Sequence, residues 1–299
     1  CMYEYSRHSI MKEKLSKTLL PLGLSGLFFA LGAATKWVCL YAAPGLAILF
    51  FYTVYQREKE YRYVKENGLL DEYSGYRKKL WLTILFCVGV FLALPAAVYI
   101  LSYYPYYNAM QGDYTLADVW KNQVYMLTYH ANLSGDPHPY QSSVYTWPFN
   151  IRPVFFFLAK NLDPSLRSVI WCMGSPTVFT CGTLMALGLL EVRKQPKTPF
   201  KGLAFITVCL LGQLLPWVLI TREVFIYHFF TSVPFLIIMI TYFMRYICER
   251  YKKGKYFAAA FLALSVVLFI LFYPPLTGTP MSVFHARLIR WSPLWPISL

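Results

Sequence analysis

Acidic residues are scarce in this sequence: 14 Asp and Glu stand against 28 Lys and Arg in 299 residues, and charged residues of both signs make up only 14%. Soluble domains carry roughly a quarter of their residues charged, so this composition excludes an ordinary hydrated globular surface. No Gly-rich phosphate loop, HExxH, GxSxG or metal-spaced His/Cys set occurs, which leaves a soluble nucleotide-using mechanism unsupported and gives no reason to expect a metal or a cofactor. The seven cysteines form no CxxC pair. All but Cys1 lie in or beside apolar runs, where Cys behaves as a small hydrophobe, so they say nothing about redox compartment. Internal repeats, low-complexity tracts and Gly/Ser linkers are missing as well, and no separate soluble domain is expected. The opening CMYEYSRHS lacks the basic, apolar, small-residue order of a signal peptide, and a first residue other than Met leads us to expect further sequence upstream.

What the chain does have is apolar and aromatic surface. Hydrophobic residues make up 57% and aromatic residues 19%, with a positive mean hydropathy. This predicts an all-α fold, a polytopic membrane helical bundle. Apolar runs long enough to span a bilayer, about 17 to 25 residues each, fall near 18–35, 37–55, 80–103, 168–190, 199–220, 224–247 and 256–274, seven in all. The net charge of +14 does not point to nucleic acid, because the basic residues cluster between these runs: seven in Arg57–Lys79, four in Glu191–Lys201, five in Arg245–Lys255 and more around Arg7–Lys17. The positive-inside rule then puts those four segments in the cytoplasm, the N-terminus inside and the C-terminus outside. The expected organisation is three spans over 1–103, an outer-face loop with an interfacial helix over 104–167, a four-helix membrane region over 168–275 and an outer-face tail over 276–299. The near-continuous apolar sequence around Thr35–Trp37 reads equally as a turn between spans or as a short re-entrant hairpin.

The unusual residues gather on the outer face. In YTLADVWKNQVYMLTYH, Leu116, Trp120, Val124 and Leu127 share a helical face, and Thr115 with Asp118 has capping-box spacing, the pattern of a helix lying in the membrane interface. The stretch HPYQSSVYTWPFNIRP carries Pro139, Pro148 and Pro153, which predict an extended, non-helical loop packed on protein or lining a wet cavity. Its aromatics alone would pass for an interfacial belt. His138, Ser142 and Arg152 among them would not, since a belt needs neither imidazole nor guanidinium, and Arg is suited to bidentate phosphate binding. A second cluster, LLPWVLITREVFIYHFF, sets Arg222, Glu223, Tyr227 and His228 where two apolar helices meet. Arg222 and Glu223 read either as a snorkelled, self-neutralising pair or as part of an anion site at membrane depth. Trp291 and Trp295 in the proline-broken tail suit an interfacial cap, and Asn132-Leu133-Ser134 fits a glycosylation sequon, a pattern frequent by chance.

Four segments in order, GLFFALGAATKWVCLY, HPYQSSVYTWPFNIRP, PWVLITREVFIYHFF and FYPPLTGTPMS, resemble the protein O-mannosyltransferases, GT-C membrane glycosyltransferases that use a polyprenyl-phosphate sugar donor. The resemblance covers essentially the whole chain. It implies correspondence to the last seven of the family's eleven spans, and a bacterial-type member of the plasma membrane, because the 104–167 loop is too short for the β-trefoil domain that eukaryotic members carry there. It further implies transfer of mannose from polyprenyl-phosphate-mannose to Ser or Thr of a translocated protein, with membrane lipid and the acceptor protein as partners. Arg222, supported by Tyr227 and His228, would hold the donor phosphate, while His138, Ser142, Trp147 and Arg152 would shape the sugar or acceptor pocket. The family's general-base carboxylate lies in an Asp-Glu pair of the first outer loop. None of Asp113, Asp118, Asp136 and Asp163 sits in that motif, so the catalytic base is expected upstream of Cys1 and this stretch by itself is expected to be inactive. Another polyprenyl-phosphate-sugar transferase acting on glycolipid or cell-wall acceptors, and a non-catalytic membrane partner or transporter, are the alternatives. Few mid-span charges argue against transport.

Overall fold

The structure is a computed structural model that describes residues 1–69, 75–109, 115–131, 138–192 and 202–295. The sequon at Asn132, Asp113, Asp136 and most of the basic segment Glu191–Lys201 lie outside the described residues. The chain is an all-α, multi-pass membrane protein. Among the described residues five helical segments are long and apolar enough to cross a bilayer, Leu15–Thr35, Trp37–Glu66, Tyr76–Tyr106, Ile226–Arg250 and Gly254–Thr277, and two shorter apolar ones cover Thr177–Leu190 and Leu203–Leu219. Each of the seven expected runs therefore has a helical counterpart. The chain gathers into two compact units, Cys1–Asn132 with Leu211–Gln213, and Leu133–Leu210 with Leu214–Leu299.

In the first unit, α1 (Met2–Arg7), α2 (Leu15–Thr35) and α3 (Ala42–Glu66) are followed by α4 (Tyr76–Val88). A π-turn over Gly89–Ala93 joins α4 to α5 (Leu94–Leu101), and α6 (Tyr104–Ala109) and α7 (Leu116–Ala131) follow. The boundary at Thr35–Trp37 is a true break: Lys36 is extended and Trp37–Tyr41 forms a separate 3-10 turn. Thr18, Leu22, Ser25, Gly26, Ala30 and Ala33 form the buried face of α2. Its closest approach is at Gly26, where a Cβ would stand 2.5 Å from the Val90 carbonyl oxygen, so the contact requires glycine.

Two cations organise the opening segment. Arg57, 4% exposed, donates from Nη2 to the carbonyls of Tyr5 (2.7 Å) and His8 (2.6 Å). Lys79 donates to the carbonyls of Ile10 (3.1 Å), Met11 (3.4 Å) and Glu13 (3.1 Å). Carbonyls at and beyond the end of α1 find donors in these side chains, the Tyr5 carbonyl in addition to the His8 N–H at 3.3 Å,. Ile10 and Met11 then complete a core with Val64, Tyr76 and Leu80.

Helix α7 begins with one half of its capping box: the Thr115 N–H donates to Asp118 Oδ2 (2.9 Å), while the Thr115 hydroxyl donates to the same oxygen (2.7 Å) and the Asp118 N–H goes to the Thr115 carbonyl (3.0 Å),. The carboxyl of Asp118 is held well below the usual carboxylate range, first by its hydrogen bond from Lys121 and then by Thr115. Leu116, Trp120, Val124 and Leu127 are all exposed. Val119 on the other side is buried, and Gln123 is tied to the hydroxyls of Tyr99 and Tyr103 at 2.7 and 2.9 Å. The apolar stripe thus faces outward while the opposite side packs on protein.

In the second unit, a 3-10 turn over Val144–Phe149 precedes β1 (Val154–Leu158), β2 (Leu166–Arg167) and β3 (Val169–Cys172). Helices α8 (Gly182–Val192), α9 (Leu203–Leu214), α10 (Val233–Arg250) and α11 (Gly254–Thr277) follow, and the tail forms β4 (Met281–Ser282) and α12 (Val283–Ile289). The run expected to cross from 168 begins as a strand, β3, antiparallel to β1. Val169 and Trp171 alternate inward to a core with Phe272, Met281, Ala286, Ile289 and Trp295, so period-two burial takes these β-branched and aromatic residues. Gly174-Ser175-Pro176 separates them from the helical turn that starts at Thr177. Helix α11 ends at Gly278 (φ +77°), a left-handed cap,. From there the tail doubles back: β4 pairs with β2, and the Ser168 hydroxyl donates to the Gly278 carbonyl (2.6 Å).

Candidate functional site

The two polar clusters of the second unit meet. The Ser142 N–H donates to the Val224 carbonyl (2.9 Å), and the Glu223 carboxylate accepts the His138 N–H (2.6 Å). Glu223 therefore holds the loop, and among the described residues it makes no ion pair with Arg222. The pairing joins the stretch 138–153 to the turn between α9 and α10. Between them opens a cavity of about 350 Å³ whose wall includes Gln141, Ser142, Tyr145, Arg152, Trp217 and Arg222.

The loop is not extended as the prolines predict. Ser143 accepts both the Thr146 N–H (2.9 Å) and the Thr146 hydroxyl (2.6 Å), and the Trp147 indole N–H reaches back to the carbonyl and hydroxyl of Ser142 at 3.0 and 3.1 Å. These bonds curl residues 144–149 into a 3-10 turn with Pro148 inside it. Asn150, at φ +50°, then turns the chain toward Arg152.

The expected site residues divide into wall and foundation. Ser142, Arg152 and Arg222 line the cavity. Trp147 is fully buried and does not line it; its ring packs edge-on against Trp217 (5.8 Å between centroids) and near His228 (6.1 Å). His228, 6% exposed, lies 4.1 Å from the Trp217 ring and accepts the Phe225 N–H at Nδ1 (3.1 Å). Tyr227 sits 4.4 Å from His228 and stacks on Phe225, and His138 meets Phe225 edge-on at 5.0 Å. Trp217 links the two groups, since it both lines the cavity and touches Trp147 and His228. It is missing from the residues expected from sequence, as are Gln141 and Tyr145. Pro216, which starts the 3-10 turn Leu215–Leu219, is the signal that Trp217 leaves the regular helix.

Both guanidiniums are half-buried, and among the described residues neither Arg152 nor Arg222 makes a hydrogen bond or an ion pair. The described wall carries no carboxylate. Two unneutralised cations beside serine, glutamine and tyrosine side chains make a cavity suited to a phosphate or another oxyanion with a polar substituent. Among the described residues no group of three His, Cys, Asp or Glu side chains comes together as a metal site.

Comparison with known proteins gives consistent results. Residues 115–295 match the family described as the C-terminal four TMM region of protein-O-mannosyltransferase. The chain is 25% identical over 308 residues to a polyprenol-phosphate-mannose–protein mannosyltransferase of Mycolicibacterium smegmatis, covering 91% of this chain and 57% of that protein. It is 23% identical over 310 residues to the enzyme of the same name from Mycobacterium tuberculosis, covering 91% and 56%. The chain thus spans a little over half the length of these curated relatives. A dolichyl-phosphate-mannose–protein mannosyltransferase 5 of Candida albicans is 22% identical over 187 residues, covering 54% and 26%. Among solved structures, the S. cerevisiae protein O-mannosyltransferase Pmt1-Pmt2 complex bound to the sugar donor has a TM-score of 0.49 at 19% identity, over 62% of this chain and 28% of that one.

Proposed function

This chain belongs to the protein O-mannosyltransferase family, and from that premise we propose that it takes part in moving mannose from polyprenyl-phosphate-mannose to Ser or Thr hydroxyls of a protein at the outer face of the plasma membrane. In this reading the N-terminus is cytoplasmic and the cavity faces outward, as the clustering of basic residues supports. The observation that carries it is the pair Arg152 and Arg222 on one polar cavity, neither engaged by the described protein groups. Arg222 takes the donor phosphate, and Arg152, Ser142 and Gln141 face the sugar and its neighbouring oxygens. Trp147, His228 and Tyr227 act from behind, through Trp217, to keep the wall in shape.

Chemically, the acceptor oxygen forms a bond to the anomeric carbon as the bond from that carbon to the phosphate oxygen breaks, and the polyprenyl phosphate leaves with the electron pair. The hydroxyl proton goes to a carboxylate base, a role we assign to no described wall residue. Negative charge grows on the departing phosphate, and guanidiniums fixed before reaction stabilise it without reorganisation. Arg222→Ala in the full-length protein should lower transfer roughly 100- to 1,000-fold, the usual cost of losing one such donor, with Arg222→Lys intermediate because a point charge replaces the fork. Transfer by Arg222→Ala at the parental rate would remove the cavity from the donor-binding role.

A further inference from the structure

Arg152 makes no hydrogen bond among the described residues, so its place in the cavity is inherited from the backbone turn before it. That turn is Asn150, fully packed and at φ +50°, a conformation that Asn tolerates and most residues do not. Three parts of the chain fasten it. Its N–H donates to the Trp147 carbonyl (3.1 Å). Its side-chain Oδ1 accepts the Gly174 N–H (2.9 Å). Its carbonyl accepts the indole N–H of Trp295 (2.9 Å), 145 residues further along the chain. Trp295 is itself wedged edge-on against Trp171 and Phe272 at 5.7 and 5.8 Å, at the end of a tail already pinned by the β2–β4 pair.

We propose that Trp295 and Asn150 are positioning residues for the transfer reaction: the tail's indole and the asparagine amide oxygen lock the left-handed turn, and the lock sets where the Arg152 guanidinium stands in the cavity. The proposal rests on the donor-site reading of that cavity. A guanidinium displaced by a fraction of an ångström to an ångström loses alignment with the sugar and the oxygens beside it, and errors of that size cost up to about 100-fold in rate.

Trp295→Phe keeps the ring packing and removes the indole donor to the Asn150 carbonyl, while Asn150→Gly keeps the backbone conformation and that carbonyl but removes the Oδ1 that accepts the Gly174 N–H. In the full-length protein each should lower kcat/KM for polyprenyl-phosphate-mannose by about tenfold, as expected for one hydrogen bond that fixes a reacting group, with KM for an acceptor peptide unchanged; each also leaves a buried group without its partner and lowers the melting temperature in detergent, so rates are read well below that temperature. Neither should weaken Arg152→Ala further, because all three act through one guanidinium. Parental kcat/KM in Trp295→Phe, or losses that multiply in full with that of Arg152→Ala, would overturn the positioning role. The measurement on Arg222→Ala separates the two readings: an inactive Arg222→Ala beside a normal Trp295→Phe sinks the positioning role alone, whereas a fully active Arg222→Ala sinks the donor site and the positioning role with it.

Discussion

Two pairs of cations in this protein are used in opposite ways. Arg57 and Lys79 in the first unit spend their donors on the protein's own backbone, five carbonyls between Tyr5 and Glu13, and the Arg57 guanidinium also lies 4.3 Å from the Tyr5 ring centroid. Arg152 and Arg222 in the second unit are half-buried on an open cavity with no such partners among the described residues. A buried charge must be met by something. In the first case the fold supplies it, and in the second, under the proposed function, the donors await the lipid phosphate and its sugar. Arginine is therefore tied to the backbone at one place and, among the described residues, without protein partners at the other, which is the difference the proposed donor site rests on.

The comparison breaks most decisively if the cavity pair is not needed. Arg152→Ala with Arg222→Ala should abolish measurable binding of a polyprenyl phosphate while leaving the melting temperature in detergent within a degree or two, since no described intramolecular bond is lost; a large fall in melting temperature would make this pair structural after all. Arg57→Ala should do the reverse. It leaves the half-buried His8 carbonyl without this donor and the buried Tyr5 carbonyl with only the longer His8 N–H bond (3.3 Å), and it removes the ring contact, a loss of about 2–4 kcal/mol in stability, read by thermal unfolding, with donor affinity unchanged. Lys79→Met keeps the apolar stem and gives up three longer bonds at a half-buried site, so about 1 kcal/mol is expected. If Lys79→Met costs as much as Arg57→Ala, burial is not what ranks them.

Much of this was legible in the sequence, for identifiable reasons. Spans depend on long apolar runs and the α7 start on a local capping box, and both are written in consecutive residues. That His138–Arg152 and Arg222–His228 share a site was readable only as a shared outer location, and the backbone bond from Ser142 to Val224 that joins them has no sequence signature. What stayed hidden is tertiary. Trp147 has the composition of a sugar platform, yet its indole finds Ser142 and its ring finds Trp217, so it is buried under the wall. The apolar run at 168 has span-like hydropathy, but a returning tail gives Val169 and Trp171 a strand partner and a core. Trp295 reads as an interfacial aromatic because nothing local says that Asn150 waits 145 residues upstream.

The smallest expected effect tests a third kind of ion, one that is partly exposed and whose bonds to Thr115 and Lys121 lie at the start of its own helix. Asp118 accepts the Thr115 N–H and hydroxyl and pairs with Lys121 at 2.9 Å, which holds its carboxyl well below the usual range. A group whose folded pKa is depressed stabilises above its unfolded pKa, about 3.9 for Asp, and the contribution fades as pH falls from there through the lower folded value. Hydrogen exchange at the first turn of α7, corrected for intrinsic rates, should therefore show constant protection from neutral pH down to about 4 and a decline below it. Asp118→Asn should flatten that profile at the lower level. Because the carboxylate is open to solvent, the change should stay within α7 and leave global unfolding and the Gln123 contacts with Tyr99 and Tyr103 unaltered; a pH-dependent loss of protection that spreads to α5 would mean that the cap, like Arg57, secures the wider fold.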